Sequence, residues 1–199
     1  MSVTAKKQMQ IIHAAVSEFQ ELGFAGASMD RVAERANVSK RTVYNHFESK
    51  EALFKAILEL MTDEIGTALD DVMFRKDVPI EKQLNDIAWV EGRLLTSASF
   101  MKLARLVMGE ITRDRELAAA MNARMEKLSV FNKFFAEAHE AGMIKAPDEE
   151  VAADQFLALI KSRAFWPVVF SGDLVSETEM QEIIDNTIST FLKAYSIKN

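Results

Sequence analysis

The chain has 199 residues, 49% of them hydrophobic and 27% charged, with a net charge of -6, no cysteine, 7 Gly and 3 Pro. Such a length buries a real core, as one large domain or as a small domain joined to a larger one, while so few turn-formers argue against a sheet-rich fold. The lack of cysteine excludes disulfides, thiol nucleophiles and thiolate metal sites.

No apolar run approaches the roughly 20 residues of a membrane span, and the N-terminal MSVTAKKQMQIIHAAV lacks the pattern of a signal peptide. A cytoplasmic protein without a membrane partner is expected. The net acidity is unevenly spread: residues 1–55 hold eight Lys/Arg against six Asp/Glu, about +2, which leaves the remainder near -8. The acidity therefore belongs to the larger part of the chain and does not exclude nucleic acid as a partner of the first part.

In chain order, Ile11, Ile12, Ala15, Val16 and Phe19 recur at helical spacing and stop at Leu22-Gly23, where Gly fits the left-handed residue after a helix end. Ser28 can cap a short second helix, MDRVAERA, and Asp30 suits its positive end. Asn37-Val38 makes a turn, Ser39 caps a third short helix reaching Phe47, and Ser49 caps a fourth that runs to about residue 73, long enough to link two bodies. After RKDVP, helical patterns follow over about 80–95, 98–111 and 116–141. Another begins at Pro147-Asp148 and runs to about 170, with Pro167 bending or shortening its end. Ser176-x-x-Glu179 is a capping-box signal for a last helix to about Tyr195.

Two short helices around a tight turn, the second exposing polar side chains, make a helix-turn-helix whose second helix lies in the DNA major groove. Val32, Ala33 and Ala36 can pack on Val38 and Val43, which leaves the polar residues for DNA. Lys40 and Arg41 can reach base edges or phosphates, and Arg can pair with both guanine acceptors. Thr42 adds a hydroxyl, Tyr44 and His46 offer longer hydrogen-bonding groups, and Asn45 suits an adenine edge or a phosphate. Lys50, Ser28 and Ser39 sit at helix starts, where exposed amides also attract phosphate.

These residues resemble the TetR family of bacterial one-component transcriptional regulators. The likeness runs in unbroken register through Ile12-x-x-Ala15, Phe19, Gly23-Phe24, Ser28-Met29, Val32-Ala33, Ala36-x-Val38-Ser39, Thr42-x-Tyr44-x-His46-Phe47 and Ser49-Lys50-Glu51-x-Leu53. By that resemblance Thr42, Tyr44, His46 and Lys50 fall where family members contact phosphates, and Lys40 and Arg41 where they read bases. Asn45 falls at a variable position. FMKLARLVMGEITRDRELAAAM and DEEVAADQFLALI look similar to the AefR-like C-terminal domain. The resemblance implies a homodimer formed by the last two long helices as a four-helix bundle, a ligand cavity among the middle helices and a near-palindromic operator.

In the larger part, Arg163 lies almost in line with Phe156 and beside Ile160 at about 100 degrees per residue. A cation on an apolar stripe calls for a partner: an anionic effector, a dimer mate or an intramolecular acid. Glu91, in line with Leu84 and near Ile87, Ala88 and Leu95, presents the same alternatives. Trp89, Phe100, Met101, Met108, Phe131, Phe134, Phe135, Phe165 and Trp166 are each core residues taken singly, yet as a set they can line an apolar pocket. The candidate pocket is therefore Trp89, Glu91, Phe100, Met101, Arg105, Met108, Phe131, Phe135, Arg163 and Trp166.

An enzyme is not expected. His13, His46 and His139 fall in separate helices without ligand spacing, adjacent carboxylates such as Glu149-Glu150 and Asp70-Asp71 point to different helix sides, and no phosphate loop or serine-nucleophile motif is present. Neither metal nor cofactor is implied. The expected protein is all-α with about nine helices, a three-helix head over 1–50 and a ligand-binding and dimerisation domain over 51–199. It is expected to repress transcription from a double-stranded DNA operator and to be released by an unknown apolar or aromatic small molecule. The competing reading is a helical protein-interaction module with weak or no DNA binding.

Overall fold

Ile11, Ile12, Ala15 and Phe19 are buried along one face of α1 (Val3–Gly26) in the computed structural model, which describes residues 3–125 and 130–197. Gly23, at φ 69, breaks the helical backbone of α1 where the sequence places a helix end, and one further turn follows it. Then come α2 (Met29–Arg35), α3 (Lys40–His46) and α4 (Lys50–Leu69). α4 stops short of the expected residue 73: the Asp70 and Val72 amides close on the Thr67 and Leu69 carbonyls, and aspartates at the negative end of a helix oppose another turn.

The remaining helices are α5 (Ile80–Thr96), α6 (Ala98–Ile111), α7 (Arg115–Met125), α8 (Val130–Glu140), α9 (Glu149–Ala164), α10 (Trp166–Ser171) and α11 (Glu177–Tyr195). The stretch expected as one helix over 116–141 is thus described as α7 and α8, and its middle lies outside the described residues. The stretch from 147 to 170 divides at Phe165, with Pro167 in the first turn of α10, where its missing N–H costs no intrahelical bond. Among the described residues there is no strand, and no helix is long and apolar enough to cross a membrane.

Backbone proximity groups the chain into two units, Met1–Glu64 with Lys102–Ala123, and Ile65–Met101 with Arg124–Asn199. The first unit therefore includes most of α4 and the later part of α6 as well as the three N-terminal helices. In its core Phe19, Phe24 and Phe54 form a triangle of rings with centroids 5.4 to 6.1 Å apart, and Val32, Val43, Leu53 and Ile57 are fully buried around it.

The second unit is built on another ring cluster. Phe135, Phe156 and Phe191, from α8, α9 and α11, touch pairwise at 5.1 to 5.6 Å and are all buried. α11 packs close to α5 because Gly92 has no side chain: a Cβ there would lie 3.1 Å from Met180 Cγ. Across the same contact the Trp89 indole N–H donates to Gln181 Oε1 at 2.8 Å, and the Gln181 amide donates to Asn85 and Asp185. Buried Gln83 ties the 70–79 connection to α5, its amide donating to the Arg75 and Val78 carbonyls while its carbonyl accepts from the Arg75 N–H. At the start of α11, Ser176 and Glu179 form the full reciprocal capping box, so two otherwise unpaired first-turn groups are satisfied.

Candidate nucleic-acid interface

The turn between α2 and α3 sets the angle of the candidate recognition helix. Asn37 takes the left-handed conformation at φ 49, its N–H donates to the Glu34 carbonyl, and the Val38 N–H reaches back to Ala33 at 3.0 Å. This double closure is a Schellman ending, and Asn is the non-glycine residue that best tolerates its left-handed position. The new helix starts at once, because Ser39 Oγ accepts the Thr42 N–H at 3.1 Å and shares a hydrogen bond with Thr42 Oγ1. Ser28 caps α2 in the same way on the Arg31 N–H. Gln10, from α1, donates to the Ala36 carbonyl at 2.7 Å and pins the turn from behind.

Charge fixes the pair of helices from a second direction. Glu18 of α1 is 1% exposed, and its two oxygens accept from Arg31 Nε at 2.6 Å and from an Arg35 guanidinium nitrogen at 3.2 Å. Arg35 also makes a two-point contact with exposed Glu21. Those hydrogen bonds hold the Glu21 carboxyl below its usual range and raise the Arg35 guanidinium above its own. Asp30 of α2 pairs with Lys40 of α3, and this hydrogen bond raises the Lys40 ammonium above the ordinary lysine value. A buried carboxylate with two guanidinium partners is stable only as a complete set, so it locks α1 against α2.

Val43 and Phe47 are buried under α3, while Lys40, Arg41, Tyr44 and Asn45 are exposed on its outer side; Tyr44 is 50% exposed. Ser28 and Ser39 are exposed at their helix starts, and Thr42 and His46 are half-buried, the His46 ring tilted toward Phe47. Among the described residues Arg41 has no ion-pair partner, so its five donors remain available. Lys50 has a different environment: its ammonium donates to the carbonyls of Phe24 and Ala27 at 2.6 and 3.2 Å and sits 4.6 Å above the Phe24 ring. It thereby neutralises the carbonyl end of α1 and anchors the start of α4.

Sequence reasoning missed the Glu18–Arg31–Arg35 set and the carbonyl anchor of Lys50. A signal for the first existed: Glu18 falls on the apolar stripe of Ala15 and Phe19, where a charge requires a partner. The second had none, since its partners lie 23 to 26 residues away on carbonyl groups that every residue possesses.

The candidate pocket residues are dispersed. Phe100, Met101, Phe131 and Phe135 are buried in the second unit, where Trp89 is half-buried and Trp166 and Arg163 are exposed. Glu91 is 9% exposed and its carboxylate lies 3.5 Å from Lys161 Nζ, an internal ion pair. Arg105 and half-buried Met108 belong to the first unit, where Arg105 lines a groove of about 400 Å³.

A capped, doubly closed helix-turn-helix with a polar outer face defines a DNA-binding protein of the regulator class. Residues 11–57 match the model of bacterial regulatory proteins of the tetR family, and residues 82–197 match the AefR-like transcriptional repressor C-terminal domain. A TetR family transcriptional regulator from Pseudomonas syringae pv. tomato is 37% identical, with a TM-score of 0.84 over 98% of both chains. The helix-turn-helix-type regulator UidR of Escherichia coli is 31% identical over 189 residues, 93% of this chain and 92% of the relative. A helix-turn-helix-type transcriptional repressor of Streptomyces coelicolor is 28% identical over 80% of this chain and 77% of its own length. The chain belongs to the TetR family and is a DNA-binding transcriptional regulator.

Proposed function

We propose that the chain is a homodimeric repressor that binds a near-palindromic operator and is released by a small molecule. The observation that carries this reading is the exposed side of α3: Arg41, Tyr44 and Asn45 are exposed on a helix whose opposite side is buried through Val43 and Phe47 and whose start is capped by Ser39. Arg41 and Lys40 read bases, with Lys40 exchanging Asp30 for DNA. Ser28, Ser39, Thr42, Tyr44 and His46 meet phosphates, Asn45 either group, and Lys50 contributes its positive charge from the carbonyl anchor. The match to a repressor-type C-terminal domain and the similarity to a named repressor support the sign of regulation.

Residues 1–50 form the DNA-binding part of this reading, and 51–199 the part that dimerises and receives the effector. Support for dimerisation through α9 and α11 is an apolar groove of about 380 Å³ between them, lined by Gln155, Leu159 and Phe191 together with Ala158, Ser162, Thr190 and Ala194, and the small side chains among these suit close helix packing. Phe170 of α10, 78% exposed, is an apolar group that a partner would cover. The effector is apolar or aromatic and meets side chains of the candidate pocket set within the second unit, such as Trp89, Phe100, Met101, Phe131 and Phe135. It shifts the dimer toward a head spacing that no longer matches successive major grooves, through α4.

Sedimentation of the full chain with and without operator DNA tests the dimer. Two chains per near-palindrome are expected, with Phe170→Glu weakening self-association. One chain per site, or an effector that binds yet leaves operator affinity unchanged, contradicts the corresponding part of the reading.

A further inference from the structure

Within the first unit, α6 turns one side toward α1: Lys102, Arg105, Leu106, Gly109 and Glu110 follow the i, i+3, i+4, i+7, i+8 pattern of a single helix face. Together with Phe19 and Gln20 of α1 they line the groove of about 400 Å³. Its charge is unbalanced. Glu110 faces Arg113 at 3.4 Å, whereas Lys102 and Arg105 have no ion-pair partner among the described residues. Its apolar lining includes Leu106 and buried Phe19, and it is open above Gly109, where an added Cβ would meet no atom within 4 Å.

Two free cations one helical turn apart, beside an apolar lining and an open position, are complementary to a molecule with an anionic head and a compact hydrocarbon body. We propose that the groove between α1 and α6 binds a small organic acid, its carboxylate held by Arg105 and Lys102 and its body lying over Leu106 and Gly109. Arginine can meet both carboxylate oxygens at once, which gives it the larger part of the grip. Phe19 and Gln20 stand directly between Glu18 and Glu21, the residues that hold Arg31 and Arg35 of α2. An occupant of the groove thus presses on the turn of α1 that orients the helix-turn-helix. This consequence for DNA rests on the proposed effector control, while the binding site itself does not.

The test uses the full chain with benzoate and hexanoate as probes and neutral benzamide as control, followed by titration calorimetry and thermal unfolding. Both acids bind one per chain and raise Tm, and benzamide does neither. Arg105→Gln weakens benzoate by about tenfold or more, the loss of a charge-assisted hydrogen bond. Gly109→Met fills the open position and abolishes binding. It introduces no clash at Cβ and replaces glycine by a better helix former, so the unliganded Tm stays at or above that of the parent.

Absence of titration by both acids, an equal response to benzamide, or binding indifferent to both substitutions overturns the proposal. So does a smaller salt slope of operator binding in Lys102→Gln and Arg105→Gln without acid binding, because the cations would then be DNA phosphate contacts. Operator affinity measured with benzoate present separates the two ideas: binding without release keeps the groove and removes it as the effector route. Release by another compound, with no acid bound, keeps effector control and removes the groove.

Discussion

Glu18 carries its carboxylate into the base of the helix-turn-helix, where Arg31 and Arg35 reach it from α2. Glu18→Ala is expected to lower unfolding stability by about 1–3 kcal/mol in chemical denaturation, less than the loss for a fully buried pair, because both guanidinium groups can turn to water. The Arg31 side chain is already 53% exposed. Arg41→Ala should leave stability within about 0.5 kcal/mol, since the side chain is exposed and unpaired. Its effect belongs to recognition: about 1–3 kcal/mol of discrimination should vanish at one operator position, measured by competition with base-substituted DNA. Helix caps were legible in the sequence because Ser28, Ser39 and Ser176 bind amides only three residues away. The Lys50 anchor was not, because tertiary folding alone brings the carbonyls at the end of α1 to it.

Helix by helix, the stability of the second unit depends on rings contributed by α8, α9 and α11. Phe135→Ala should cost about 3–5 kcal/mol, because the side chain is wholly buried between Phe134, Phe156 and Phe191 and the remaining rings cannot close the gap. The α1–α2 contact carries a pH dependence. Glu21 has its carboxyl lowered by the hydrogen bond from Arg35, so its contribution is complete above the ordinary glutamate value of 4.5 and is lost as pH falls below it. Acid titration followed by NMR should show Glu21 protonating later than an unpaired glutamate, and Arg35→Gln should remove that delay. Helical periodicity exposed the elements, since side chains 3 and 4 apart share a face whatever they pack against. The end of α4 was less legible: apolar Val72 continued the pattern, while the aspartates and turn-closing amides that end the helix carry no periodic signal.

For the whole molecule, the grouping of Lys102–Ala123 with the N-terminal helices was the least legible feature. It joins a segment that begins 33 residues beyond the end of α4, and local pattern says nothing about which distant helix covers which face. The first unit is consequently more than the residues that resemble a DNA-binding head: it includes a helix face with two unpaired cations next to the turn of α1 that holds α2. The family assignment followed from a run of about 45 residues in register, and the polar side of α3 supplied its physical content.

The most direct test is fluorescence anisotropy of the full chain on the DNA upstream of its own reading frame, over a series of salt concentrations. Binding should weaken steeply with salt, and Arg41→Ala and Tyr44→Ala should each lower affinity by about fivefold or more while leaving Tm unchanged. Absence of salt-sensitive binding, or unaltered affinity in both variants, would contradict the account and favour a protein-interaction module instead.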